Sequence, residues 1–101
     1  MEYEICQHGE HLRVKVAGRL DAQTAPTLEG AMREKLDGII DITFDLSELV
    51  YISSAGLRIL LASYKLVSKR EGTMQVEHAT GDVLCVMQMS GLATLFGIES
   101  E

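Results

Sequence analysis

The chain is poor in most features that would give it chemistry of its own. No apolar run approaches the ~20 residues that a membrane-spanning helix needs, so no membrane partner is expected. The opening residues, Met1-Glu-Tyr-Glu-Ile5, lack the basic-then-apolar layout of a secretory leader, and a cytoplasmic location is expected. Cysteine is limited to Cys6 and Cys85, far apart and outside any Cys-x-x-Cys pair. That argues against a disulfide or metal framework and predicts reduced thiols in the core. Positive charge is also scarce, with 9 Lys and Arg against 15 Asp and Glu and a net charge of −6. Binding a phosphate backbone takes clustered Lys and Arg, so no nucleic-acid partner is expected. The one basic cluster, Lys65, Lys69 and Arg70, falls at the end of a predicted helix, where it complements the helix dipole. There is no glycine-rich phosphate loop followed by Lys-Ser/Thr, no internal repeat and no low-complexity linker.

What remains is an ordinary globular composition, 47% hydrophobic and 24% charged over 101 residues, enough for one domain with a real core. Tyr3 to His8 and Leu12 to Ala17 alternate around a His8-Gly-Glu-His11 turn and predict an antiparallel hairpin, with Arg13 and Lys15 toward water. His8 and His11 read as solvated turn residues. Gly18-Arg-Leu-Asp21 leaves that strand, and Thr24-Ala-Pro26 starts a helix, since proline suits the first turn. Its apolar face is Ala25, Leu28, Ala31 or Met32, and Leu36, and Gly38 closes it. Ile39 to Phe44 predicts a buried parallel strand. A central helix from Ser54 to about Arg70 buries Leu57, Leu60, Leu61, Tyr64 and Val67, with Ile59, Ala62 and Leu66 widening the arc. Thr73 to His78 gives a further strand. Thr80-Gly-Asp82 caps a helix to about Met89 with Val83, Val86 and Met87 inward, Leu84 and Cys85 completing its packing. Met87 and Met89 read as gap fillers. Leu92 to Ile98 reads as a terminal turn with a short edge strand. This order predicts an α/β domain, a mixed sheet of about four to five strands with helices mainly on one face.

The stretch Asp45-Leu-Ser-Glu-Leu-Val-Tyr-Ile-Ser-Ser-Ala-Gly-Leu57 organises the rest. It is read as leaving the Ile39–Phe44 strand and entering the central helix. A helix start carries unpaired N–H groups and partial positive charge, so it caps on serine and attracts anions. Ser53 or Ser54 can supply the cap. Gly56, a poor helix former, would let another molecule approach the backbone.

A serine on a strand-turn-helix invites comparison with a hydrolase elbow, but the first glycine position is Ile52. The only histidine after the serine is His78, inside a predicted strand. Asp21 and Asp45 are both expected to approach the Ser53–Ser54 turn. As plain structure they are an Asx turn and a strand-end cap. Two acids beside a serine, with no catalytic histidine or metal set, do not make an active site. No enzyme activity, metal or cofactor is expected.

Asp45-Leu-Ser47 followed by Tyr51-Ile-Ser-Ser-Ala-Gly-Leu57 resembles the signature of bacterial anti-sigma factor antagonists, the STAS domain. Gly18-Arg-Leu-Asp-Ala-Gln-Thr-Ala25 and Ser90-Gly-Leu-Ala-Thr-Leu-Phe-Gly-Ile98 match in order and spacing. The resemblance implies one STAS domain over residues 1–101. It implies an anti-sigma factor serine kinase as partner, a sigma factor released by that binding, and a phosphatase that resets the phosphoserine. By motif position the phosphoacceptor is Ser54, with Ser53 as the fallback, since the family often has aspartate where Ser53 stands. Asp21, Thr24, Ser53, Ala55, Gly56, Leu57 and Arg58 are expected to surround it and meet the partner. The alternative is a STAS adaptor of a signalling or lipid-handling complex, indifferent to Ser54.

Overall fold

In a computed structural model, residues 1–98 are described and form a four-stranded mixed sheet in the order β1-β2-β3-β4 with four helices. β1 (Glu2–His8) and β2 (His11–Leu20) make the expected antiparallel hairpin; β3 (Asp41–Ile52) and β4 (Thr73–Glu77) add in parallel. The helices are α1 (Ala25–Arg33), α2 (Ser54–Lys69), α3 (Gly81–Met89) and α4 (Leu92–Leu95).

Alternation divides the sheet. Leu12, Val14 and Val16 of β2 and Ile42, Phe44 and Leu46 of β3 are fully buried toward the helices. The opposite face is polar. There Arg13 bridges Asp45 (3.3 Å) and Glu77 (3.0 Å), Lys15 meets Glu48 (2.7 Å), and His11 Nε2 lies 3.1 Å from the Thr43 hydroxyl. His11 is therefore a bonded strand residue rather than a solvated turn.

The largest departure from expectation is the length of β3. The strand does not end at Phe44 but runs on to Ile52. Two register shifts against β2, between Lys15 and Ala17 and between Gly18 and Arg19, each insert an extra β3 residue. The inward positions therefore run Leu46, Leu49, Ile52, a spacing of three that hides a strand from a period-two reading. β2 likewise continues through Gly18 to Leu20 instead of leaving the sheet.

Several smaller expectations are corrected. α1 ends at Arg33, and Gly38 lies beyond it in the connection to β3; Met32, not Ala31, is the buried choice. α2 buries Gly56, Ile59, Leu60, Ser63 and Val67, while Leu57, Leu61 and Tyr64 only flank that face. Small residues on the inward line bring the helix close to the sheet. Cys6 and Cys85 are both exposed free thiols, not core residues, because each lies on the solvent side of its element. Val86 is half-buried, and Met89 is 83% exposed and fills no gap. Leu92 to Ile98 contains the short helix α4 and no strand, anchored by buried Ala93 and by Phe96, whose ring centroid is 5.6 Å from that of Tyr64. At the far end of α2, Arg70 Nη1 donates to the carbonyls of Leu36 and Ile39, both at 2.7 Å, tying the helix to the α1–β3 connection.

Candidate functional site

The site lies where β3 becomes α2. Ser53 has extended backbone (φ −101°, ψ 178°) and caps the helix, its Oγ accepting from the Ala55 N–H at 3.2 Å. Its own N–H donates to the Leu20 carbonyl at 2.9 Å, which fastens the turn to the end of β2. With the cap supplied by Ser53, Ser54 is the first helical residue, and its side chain is exposed. The two serines thus divide the work: one caps the start of the helix, the other faces solvent.

Asp21 follows Leu20 and so stands beside this turn. Its Oδ1 accepts from the N–H groups of Gln23 (3.0 Å) and Thr24 (3.2 Å), an Asx turn that leads into α1. The Thr24 hydroxyl accepts from the Asp21 N–H at 2.9 Å and lies 3.0 Å from the Arg19 carbonyl. The Thr24 N–H holds the Asp21 carboxyl below its ordinary range; burial opposes it, and the Gln23 N–H, the Thr24 hydroxyl and Arg19 add to the lowering. Asp21 is therefore an anion at neutral pH, one residue beyond the Leu20 carbonyl to which the Ser53 N–H donates.

Asp45 is elsewhere. It sits inside β3, paired with Lys15 and Glu77 across the sheet and bridged to Arg13. At about 3.3 Å per strand residue it is some 25 Å along the chain from Ser53, so it does not approach the turn. Partial burial works against its charge. The Ser47 N–H and hydroxyl, Arg13 and His78 outweigh that, and its carboxyl also lies below the ordinary range.

Of the other predicted surround, Ala55 is half-buried and Arg58 exposed one turn along α2, and Leu57 is half-buried. Gly56 is turned the other way. It is buried against the sheet, where a Cβ would stand 2.7 Å from Ile52 Cγ1 and 2.9 Å from Leu20 Cγ. Its missing side chain serves the close approach of α2 to the sheet and offers no space to an outside molecule. Beside the serine turn a hollow of about 240 Å³ is walled by Ala22, Ala25 and Pro26 on one side and Ala55, Arg58 and Ile59 on the other.

A second feature has no counterpart in the pattern of the sequence. At the second bulge, the unpaired Val50 (64%) and the following Tyr51 (37%) are exposed near the end of β3. The Arg19 guanidinium lies 4.1 Å from the Tyr51 ring centroid, with its Nε 3.9 Å from Asp21 Oδ2. Only the bulge, which is not a sequence pattern, turns these residues outward.

The family model described as Mlab, STAS domain matches residues 4–97. The chain belongs to the STAS domain family. Among curated relatives, this STAS domain is 29% identical over 100 residues to the anti-sigma F factor antagonist of Paenibacillus polymyxa, covering 97% of this chain and 86% of that protein. Among solved structures, the anti-sigma factor antagonist SpoIIAA in its unphosphorylated form superposes with a TM-score of 0.82 at 16% identity, over 98% of this chain and 100% of that one. The Bacillus cell fate determinant SpoIIAA in its phosphorylated form gives 0.75 at 16% identity, over 92% and 86%. At that identity the likeness shows the fold. It agrees with the mixed sheet and helical layer described above.

Proposed function

We propose that this STAS domain, acting as one unit over residues 1–101, is an anti-sigma factor antagonist. It binds an anti-sigma factor that is a serine kinase, which frees a sigma factor, and phosphorylation of Ser54 ends the interaction until a phosphatase resets it. Its role is that of a regulatory binding protein in the cytoplasm; among the described residues no helix is long and apolar enough to cross a membrane. The observation that carries the reading is the division of labour between the serines. Ser54 is exposed at the head of α2 and is not the cap, so a phosphate there replaces no structural bond. The name of the Paenibacillus polymyxa relative, and the existence of SpoIIAA in a phosphorylated form, support the same reading.

The physics is that of a surface switch. A phosphate adds about −1.5 to −2 charge and three acceptor oxygens. The dipole of α2 favours that charge by about 0.3–1 kcal/mol, so the fold tolerates it. Asp21, already an anion beside the turn, opposes it. A partner seated over Asp21, Thr24, Ser53, Ala55, Leu57 and Arg58 would have to desolvate a bulky dianion, and a thousandfold loss of affinity takes only about 4 kcal/mol.

The test is a pull-down from native-host lysate with wild type and Ser54→Asp as paired baits, read by mass spectrometry. A kinase-like protein held by wild type and lost by Ser54→Asp supports the switch. Ser54→Ala should hold the same protein and resist phosphorylation by it. The match to a family described as Mlab favours one second reading, an adaptor subunit of a signalling or lipid-handling complex. The same multi-subunit complex on both baits would select that reading and reduce Ser54 to a helix residue.

A further inference from the structure

β1 forms one edge of the sheet, and among the described residues no element lies beyond it. Edge strands are usually blunted by lysine, proline or a bulge. β1, Glu2-Tyr-Glu-Ile-Cys-Gln-His8, has no lysine, proline or bulge; its edge charges are Glu2 and Glu4, and it pairs with β2 through seven consecutive register positions.

The hairpin fixes which backbone groups are free. Its loop has two residues, Gly9 and Glu10, closed by the pair His8 and His11. In such a loop the closing residues exchange both hydrogen bonds, and narrow and wide pairs alternate from there. The N–H and C=O groups of His8, Cys6, Glu4 and Glu2 therefore point to β2. Those of Gln7, Ile5 and Tyr3 point away from the sheet, with no strand to receive them.

We infer that β1 pairs with β1 of a second copy of this chain, antiparallel and centred on Ile5, to make one continuous sheet through the dimer. Centred on Ile5, every outward residue of β1 finds a partner: Tyr3 meets the second Gln7, Ile5 meets Ile5, and Gln7 meets Tyr3, each as a doubly bonded pair. Glu2 stands opposite His8 at both ends. The two-fold axis runs perpendicular to the sheet, so both helical layers lie on one side. On that side Ile5, half-buried against the core, and Tyr3, 40% exposed, gain cover. On the other side Cys6 faces Glu4, and the two Cys6 side chains lie diagonally, roughly 7–8 Å apart. A seven-residue strand buries little area, so the dimer is a weak one that forms by mass action. The pairing does not rest on the Ser54 switch. It leaves the β3–α2 turn open on each copy.

Cys6 is a built-in reporter, and Cys85 on α3 is the control. Purified chain is treated with a short bis-maleimide over micromolar to millimolar concentrations, alongside sedimentation velocity. The expected result is a concentration-dependent dimer, cross-linked in wild type and Cys85→Ser but not in Cys6→Ser. Gln7→Pro removes an outward N–H without touching the β1–β2 bonds, and Tyr3→Lys restores a usual edge guard. Each should weaken dimerisation about tenfold or more, with a melting curve like that of wild type. A chain that stays monomeric and uncross-linked at the highest concentration overturns the inference. So does a dimer that both substitutions leave intact, or one cross-linked through Cys85.

Discussion

Leu20 fills the space that a side chain on Gly56 would need: a Cβ there would stand 2.9 Å from Leu20 Cγ, and Ile52 Cγ1 is nearer still at 2.7 Å. The last residue of β2 and the first turn of α2 are thereby locked together directly beneath the two serines.

Gly56→Ala gains about 0.8–1 kcal/mol of helix propensity, but overpacking costs about 1–3 kcal/mol. The net expectation is a lower Tm together with weaker partner binding, because α2 must lift from the sheet. Thermal melts and a binding titration on the same variant check both. Gly72→Ala should be far worse, since its Cβ would fall 1.6 Å from the Ile40 carbonyl oxygen, a backbone atom that cannot turn aside. Failure to accumulate folded protein is the expected outcome there.

Ser53 and Ser54 should separate cleanly. Ser53→Ala removes the cap on α2 and should cost about 0.5–2 kcal/mol, a fall of roughly 4–8 °C in Tm per kcal/mol, while partner binding survives. Ser54→Asp should do the reverse, leaving the melt nearly unchanged and abolishing binding. Calorimetry paired with a pull-down distinguishes them. An unfolded Ser54→Asp would sink the surface-switch reading.

Acid should weaken the domain through Asp45 and Asp21. Both carboxyls are lowered in the folded state, so each contributes stability that is complete above its unfolded value and lost as pH falls through the folded one. Wild type should therefore lose Tm below about pH 4, and Asp45→Asn, which cannot ionise, should show a flatter acid limb. A melt series from neutral to acid pH measures it, and parallel curves would contradict it.

Phe96→Ala should cost about 3–5 kcal/mol, because Phe96 is buried and its ring packs at 5.6 Å from that of Tyr64. Urea unfolding gives the value. A loss below about 1 kcal/mol would mean that the segment around α4 adds little to the core.

Local chemistry made much of this protein readable in advance. The β1–β2 turn, the proline-led start of α1, the β4 strand and the head of α2 each follow from neighbouring residues, because turn geometry, helix caps and apolar period are local properties. Ser54 was legible for the same reason, as a hydroxyl at a helix start. The length of β3 was not, since its bulges exist only by register against β2 and replace the alternation that marks a strand.

The sequence by itself determined the order of elements as far as α3, the α/β class and the serine pair at the head of α2, since each is written in spacing along the chain. Tertiary structure alone decided which serine caps and which faces solvent. It alone turned Gly56 inward, carried Asp45 away from the site, and placed Arg19 over Tyr51. Those outcomes depend on where β2, β3 and α2 meet, and contacts between segments tens of residues apart leave no period in the chain to read.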